Sequence, residues 1–116
     1  MSKSRRGAGP RLVDAAPVFA ALGDATRLRL LGRLAEGGPA SIAALSEDAE
    51  VTRQAITKHL EVLARAGLVH GERSGRERIW ALEARGLDAA RIYLDRISAQ
   101  WDEALGSLRD FVERER

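Results

Sequence analysis

Apolar residues recur every three or four positions in five segments of the chain, a spacing typical of amphipathic helices. The first segment covers residues 13–22, and the second follows Asp24, a residue type that favours the helix N-cap. The apolar residues of the first segment share one helical face: Val18, Phe19 and Leu22. Those of the second recur at i, i+3 and i+6 before a Gly-Gly-Pro sequence ends it: Leu28, Leu31 and Leu34.

The fourth segment, at 52–66, has the clearest boundaries. Thr52 suits its N-cap and Gly67 suits the left-handed residue after its end, while Ser41 is expected to cap a short third helix. Three apolar residues of the fourth segment share a face that we expect to pack in the core: Ile56, Leu60 and Leu63. The opposite face is polar: Gln54, Lys58, Glu61 and Arg65.

Two short runs of strand-like composition follow and are joined around Ser74 and Gly75, which predicts a β-hairpin. Trp80 and Leu82 stand two positions apart and therefore share one face of the second strand. We expect that face to be buried.

A last helix is predicted over residues 87–112. Its apolar residues form an almost continuous stripe: Leu94, Ile97, Trp101, Leu105, Leu108 and Val112. Such a helix spans about 39 Å, more than a domain this small covers, so the stripe predicts a seam between two copies of the chain. Tyr93, Trp101 and Phe111 could instead line a pocket for an apolar effector, although packing within the core is the simpler interpretation.

The chain has 116 residues, enough for one domain with a modest core. It contains no cysteine, which excludes disulfides and thiolate metal sites and is compatible with a reducing cytoplasm, the expected location. No apolar run approaches the roughly 18 residues that a membrane span needs.

The net charge of +2 is unevenly distributed. Residues 1–35 carry 7 basic against 2 acidic residues, and residues 51–82 carry 6 against 3. Residues 36–50 carry none against 4, and residues 83–116 carry 6 against 8. Positive charge is thus concentrated in two segments, one of which contains the fourth helix, and this asymmetry indicates a polyanionic partner.

The first turn and a half of the fourth helix carries four polar residues: Arg53, Gln54, Thr57 and Lys58. A helix that reads the DNA major groove enters it N-terminus first, with its dipole toward phosphate. Gln can bond adenine at two atoms, Arg and Lys reach guanine, and Thr contacts phosphate or a thymine methyl. Together with Thr52 as the cap, the four therefore predict a DNA-reading surface. The alternative is a solvated face, which suffices for Glu61 and Arg65.

Three arginines surround the hairpin tip: Arg73, Arg76 and Arg78. They suit a wing that contacts the minor groove or the phosphate backbone, and a solvated turn is the alternative. A short helix, a tight turn, a reading helix and a hairpin make a winged helix-turn-helix, so the predicted fold is mainly α with a small β-hairpin wing.

We therefore divide the chain into a disordered basic arm at 1–12, a winged helix-turn-helix DNA-binding domain at 13–82 and a C-terminal dimerisation helix at 83–116. The arm has three arginines that are expected to add nonspecific phosphate contacts: Arg5, Arg6 and Arg11.

Three stretches together resemble the ArsR/SmtB family of bacterial repressors: "LGDATRLRLLGRL" (Leu22 to Leu34), "TRQAITKHLEVLARAGLV" (Thr52 to Val69) and "SGRERIWAL" (Ser74 to Leu82). The resemblance covers roughly residues 18–82 and, in pattern only, the last helix. It implies a homodimer through the first and last helices that mostly represses transcription by occupying an operator. The interface residues would be Val18, Phe19, Leu94, Ile97, Trp101, Leu105 and Leu108. Two-fold symmetry predicts that the operator is an imperfect inverted repeat.

The sequence departs from the metal-sensing members of that family. They carry a Cys-x-Cys pair in the third helix, and the matching positions here are Ser41 and Ala43. Others use histidine and carboxylate ligands in the last helix, whereas the histidines here are His59 and His70. Thiolate and imidazole are the ligands that bind transition metals tightly. Both histidines are therefore expected to be structural, and no metal or other cofactor is expected.

Two other functions remain as alternatives. A winged helix can serve protein–protein contact, but the basic reading face and wing disfavour that role. An enzyme needs a nucleophile with a base, a carboxylate pair in a cleft or a metal site, and a chain with no cysteine and two isolated histidines offers little of this. The predicted partners are double-stranded DNA and a second copy of the chain, with any small-molecule effector unidentified.

Overall fold

A computed structural model of the chain describes residues 12–47 and 49–116, with side chains described from Ala15 onward. The helices are α1 (Leu12–Leu22), α2 (Ala25–Gly37), α3 (Ile42–Ser46), α4 (Arg53–Arg65) and α5 (Asp88–Arg114), and the strands are β1 (Ala40–Ser41), β2 (Val69–Ser74) and β3 (Glu77–Leu82). The arm predicted at 1–12, with Arg5, Arg6 and Arg11, lies outside the described residues except for Leu12, which begins α1.

Three helices begin at the cap residues that the sequence predicts. In each, a side-chain oxygen accepts a hydrogen bond from the backbone N–H three positions later: Asp24 at 3.0 Å, Ser41 at 3.2 Å and Thr52 at 3.1 Å. Each bond satisfies one of the donors that a helix N-terminus leaves unpaired. The starts of α2, α3 and α4 are therefore fixed by local chemistry.

The end of α4 is equally well defined. Gly67 adopts a φ of +82°, which favours glycine because it has no Cβ. Its N–H donates to Ala64 O at 3.0 Å, and the N–H of Leu68 donates to Leu63 O at 2.9 Å. This Schellman pair turns the chain back on itself, so that Leu68 and Val69 become buried beside α4.

The sheet has three antiparallel strands in the order β1-β3-β2, one strand more than the hairpin predicted from sequence. The additional strand is two residues long, with Ala40 opposite Trp80, and two residues are too few to show a period. Ser74 pairs with Glu77, so the hairpin loop is Gly75-Arg76, one position later than predicted. Gly75 supplies the positive φ of 67° that such a two-residue loop requires.

The core lies where α2, α3, α4 and the base of the hairpin meet. The predicted inner face of α4 is confirmed, since its three apolar residues are almost inaccessible: Ile56 is 1%, Leu60 0% and Leu63 0% exposed. They pack in one cluster with residues of the neighbouring elements: Leu30, Leu34, Leu45, Leu68, Val69 and Trp80. α4 is thereby held on its apolar side, which leaves its polar side facing outward.

Two apolar positions differ from the predicted core. On α2 the buried residues are Leu30 and Leu34, whereas Leu28 is 52% exposed because it lies two positions from Leu30 and hence on the opposite side of the helix. Leu82 shares a strand face with the buried Trp80, but it is the last residue of β3 and remains 39% exposed.

The α1 helix packs against the beginning of α5. The rings of Phe19 and Tyr93 meet edge to face with their centroids 5.9 Å apart, and Ala90 is buried beside them. Val18 is only 4% exposed and belongs to the core of its own chain. It therefore offers little surface to a partner, and its place in a dimer interface stays a prediction.

Beyond Tyr93, α5 leaves the domain with its apolar stripe uncovered. Trp101 is 66% exposed, and the residues that follow on the same stripe are also exposed: Leu105 at 55%, Leu108 at 56% and Val112 at 45%. Phe111 is 54% exposed, so the interpretation of Trp101 and Phe111 as residues packed within the core is wrong. None of the described helices is long and apolar enough to cross a membrane.

Candidate nucleic-acid interface

The N-terminal turn and a half of α4 forms one part of the candidate interface. Arg53, Gln54 and Lys58 are exposed there, and Thr52 caps the helix at its edge. Thr57 is half-buried and its hydroxyl donates to Arg53 O at 2.9 Å, so its oxygen can still accept a hydrogen bond. The first turn of α4 carries no acidic residue to oppose the positive end of the helix dipole.

The second part of the interface is the inner face of the wing, defined here as the face of β2 and β3 that carries Trp80. Alternation along the strands places Arg78 on this face, and strand register sets Arg73 directly opposite Arg78. Like charges directly opposite each other destabilise a sheet. The strand register therefore places two like charges in one cross-strand pair of the wing.

Arg78 is positioned by its neighbours. Its guanidinium carbon lies 4.6 Å from the centroid of the Trp80 ring, a cation–π contact that holds the side chain against the sheet. Gly71 lies opposite Trp80, and a Cβ there would stand 2.9 Å from Arg78 Nε and 3.2 Å from the indole. The absence of a side chain at Gly71 thus makes room for Arg78 to lie flat over the ring.

Arg76 lies in the hairpin loop and is exposed, as is Arg73 on β2. Within the described ranges, neither is engaged by an ion pair. The three arginines that the sequence analysis named therefore differ in their surroundings. Arg78 is stacked on Trp80, and the guanidinium groups of Arg73 and Arg76 make no ion pair among the described residues.

Two further arginines, which the sequence analysis did not select, hold the helices in place. Arg33 on α2 donates to the carbonyl oxygens at the end of α3: to Ala44 at 2.9 Å, Leu45 at 3.1 Å and Glu47 at 3.2 Å. A cation is favourable at a helix C-terminus, where carbonyl groups are unpaired. Arg33 therefore fixes α3, the first helix of the helix-turn-helix, against α2, and no spacing in the sequence marks it.

Arg27 connects three helices. Its Nε donates to Ala21 O at 2.7 Å at the end of α1, and its Nη1 lies 3.1 Å from His59 Nδ1 on α4. Its position three residues after the Asp24 cap is the single sequence signal for this role.

Asp24 belongs to the same cluster. The backbone N–H of Arg27 donates to its carboxylate and is the main cause that lowers the pKa of Asp24 below its ordinary value. Burial acts in the opposite direction and is second in size, and the charge of Arg27 makes a smaller contribution that also lowers the pKa of Asp24. The carboxylate is therefore held ionised at neutral pH.

The two histidines both lie beside other side chains. His59 faces Arg27 and Asp24, and Nδ1 of His70 lies 3.0 Å from the Glu83 carboxylate, although not in hydrogen-bonding geometry. Across residues 12–47 and 49–116, no group of three or more His, Asp or Glu side chains is placed to hold a metal ion.

A reading helix with a polar N-terminal face, preceded by a short helix and followed by a basic hairpin, defines a winged helix-turn-helix DNA-binding protein. Comparison with known proteins agrees with this class. A family model described as a helix-turn-helix domain matches residues 22–72. The chain is also 38% identical over 95 residues to the HTH-type transcriptional regulator Rv2034 of Mycobacterium tuberculosis, covering 82% of this chain and 85% of that protein.

Solved structures narrow the class to a family. An ArsR-like transcriptional regulator from Rhodococcus sp. RHA1 has a TM-score of 0.73 and 36% identity, over 85% of this chain and 92% of that one. The homodimeric winged helix-turn-helix DNA-binding domain Mb0332 of Mycobacterium bovis has a TM-score of 0.61 and 27% identity, over 87% and 88% of the two chains. The chain belongs to the ArsR family of transcriptional regulators; it is a DNA-binding regulator and not an enzyme.

Proposed function

We propose that the protein is a homodimeric repressor that binds an imperfect inverted repeat. Arg53, Gln54, Thr57 and Lys58 read base edges and phosphates in the major groove, with Thr52 as the cap, while Arg73, Arg76 and Arg78 hold the adjacent backbone or minor groove. The observation that carries the proposal is the exposed polar N-terminus of α4 together with a wing that carries three exposed arginines.

The dimer is supported by the uncovered stripe of α5. Trp101, Leu105 and Leu108 are each more than half exposed in one chain, and contiguous apolar surface of this kind is typical of an interface. Leu94 and the half-buried Ile97 extend the stripe toward the domain. Phe19 is partly covered by Tyr93, so it contributes at most an edge to that interface.

A dimer gives the reading helices a two-fold relation, and this determines the form of the operator. Each helix enters one major groove, so the half-sites lie about one helical turn of DNA, or a multiple of it, apart. A protein bound across such a site blocks access to the DNA, which is the basis for proposing repression. We further propose that the response is independent of transition metals, because the family's thiolate positions are Ser41 and Ala43 here.

The test begins with selection of bound sequences from a random duplex library by the full chain, followed by fluorescence anisotropy on the selected site at about 150 mM salt. A preference of roughly a thousandfold or more over a shuffled duplex is expected for a specific regulator. Gln54→Ala should change which bases are preferred. Arg76→Ala should weaken binding to all sequences and reduce the salt slope by about one.

Arg114→Ala is the matched control, because it removes the same charge from the exposed end of α5. It should leave both affinity and salt slope unchanged. Equal loss of affinity for every sequence in the Gln54 and Arg76 variants would contradict the separation of reading and holding roles. The same assay with Zn²⁺ added should give the same affinity, and release of the duplex by the metal would contradict metal independence.

A further inference from the structure

The reading helix must be held at a defined angle to the dimer helices, because that angle sets the separation of the two reading helices. Most contacts of α4 are apolar, and apolar contacts are not directional. Among residues 12–47 and 49–116, the bond between Arg27 and His59 is the side-chain hydrogen bond that joins α4 to another helix, and it is directional because a planar guanidinium donates along fixed axes.

The geometry of Arg27 makes it a fixed point. Two of its nitrogens face carbonyl oxygens at the end of α1, Nε at 2.7 Å from Ala21 O and Nη2 at 3.4 Å from Ala20 O. The α1 helix in turn packs on α5 through Phe19 and Tyr93. The guanidinium is therefore anchored to the pair of helices that carries the proposed interface.

His59 completes the connection. It lies on the flank of α4, one position before the buried Leu60, and its side chain is 23% exposed. Arg27 has no hydrogen-bond acceptor atoms, so the contact requires that His59 Nδ1 accept the bond, with the ring proton on Nε2. His59 on α4 is thus connected through Arg27 to the end of α1, and Lys58 on the exposed face of α4 is its neighbour in the chain.

We propose that Arg27 is a positioning residue, which acts through His59 to fix the orientation of α4 relative to α1 and thereby selects the spacing of the two DNA half-sites. The claim about half-site spacing rests on the proposed function, because spacing has meaning only for a dimer that reads two half-sites. The claim about the orientation of α4 concerns a single chain and can be measured without DNA.

The variants are chosen to separate the hydrogen bond from packing. His59→Asn keeps an acceptor, because its Oδ1 stands where Nδ1 stood, whereas His59→Leu keeps a branched side chain of similar size without the acceptor. The chain contains no cysteine, so Ala16→Cys on α1 and Glu61→Cys on α4, both exposed, provide the sole two sites for spin labels.

The first measurement is the distance between the two labels by double electron–electron resonance, with labelled chain diluted in unlabelled chain so that pairs within one chain dominate. With wild-type His59 and with His59→Asn, one narrow distribution is expected. His59→Leu should broaden or shift it. An unchanged distribution in a folded His59→Leu protein would overturn the positioning role.

The second measurement is anisotropy on duplexes that carry two copies of the half-site selected by the wild-type chain, with the spacer lengthened or shortened by single base pairs. Loss of one charge-assisted hydrogen bond should reduce discrimination between spacers about tenfold in His59→Leu. His59→Asn should restore it. Affinity for a single half-site should be equal in all three proteins.

The outcomes distinguish the two proposals. A wild-type chain that selects no sequence refutes the proposed function, while the label distances still decide whether Arg27 positions α4. A wild-type chain with a spacing preference that His59→Leu retains in full refutes this inference and leaves the proposed function in place. Loss of half-site affinity in His59→Leu, without loss of spacing preference, would also contradict it.

Discussion

The helices α4 and α5 carry the same kind of apolar stripe and meet opposite environments. In α4 the stripe residues Leu60 and Leu63 are 0% exposed, whereas in α5 Leu105 and Leu108 are 55% and 56% exposed. The difference lies in what surrounds each helix. α4 is enclosed by α1, α2, α3 and β2, while α5 packs chiefly on α1. An apolar stripe thus predicts that a surface will be covered, but the fold decides whether the same chain covers it.

The largest expected effect on stability comes from shortening one leucine in the stripe of α4, and the same substitution in the stripe of α5 is its comparison. Leu60→Ala leaves a cavity in a closed core and should lower the free energy of unfolding by about 2–5 kcal/mol. Leu105→Ala removes a side chain that is more than half exposed in one chain, so its effect should disappear as the protein is diluted.

Chemical denaturation at several protein concentrations measures both variants. A Leu105→Ala chain that is destabilised equally at every concentration would contradict the assignment of α5 to an interface. A Leu60→Ala chain with unchanged stability would contradict the packing of α4.

The sequence predicted most of what local chemistry determines. The caps at Asp24, Ser41 and Thr52 and the left-handed Gly67 were read directly, because each requires a particular residue type at a particular place. Contacts between elements distant in the chain were missed. The bonds of Arg33 to the end of α3 depend on tertiary placement alone, and an arginine in α2 looks the same in sequence whether it is solvated or bound.

The candidate site shows the same limit. Exposure of Gln54 and Lys58 followed from the helical period, since the opposite side is apolar. The period alone places Arg53 near Leu60, and it is exposed as the first residue of α4. The stacking of Arg78 on Trp80 depends on Gly71, which stands on the neighbouring strand, so that strand register had to be known first. The helical period shows that the face of α1 with Val18 is covered. It does not show whether the same chain or a second copy covers it, and in the structure the same chain does.

A smaller effect is expected from a charge placed on the stripe of α5. Trp101→Glu should weaken dimerisation by roughly a hundredfold, because a central aromatic residue typically contributes 2 kcal/mol or more to an interface. The fold of each chain should be retained, since Trp101 is 66% exposed there. Sedimentation velocity measures the dimer and circular dichroism measures the fold.

Ala99→Glu is the matched control for Trp101→Glu. It introduces the same charge at an exposed position about half a turn around α5 from Trp101. It should leave the dimer intact. Equal dissociation in both variants would mean that net charge, and not the stripe, governs assembly.

The smallest effect concerns carboxylates at the beginnings of two helices. The pKa of Asp24 is lowered from 3.8 in the folded chain, chiefly by the Arg27 N–H, so its ionised form stabilises the fold at neutral pH. That contribution is lost as the pH falls below 3.8 and through the lower pKa of the folded state. Asp24→Asn keeps a good N-cap but has no carboxylate. It should be less stable than wild type at pH 7, and the difference should vanish in acid.

The control is Asp88→Asn at the start of α5, which breaks an exposed pair with Arg85 and should change stability little at any pH. Thermal unfolding from pH 7 down to acid compares them, and a gap between wild type and Asp24→Asn that widens toward low pH would reverse the assigned sign.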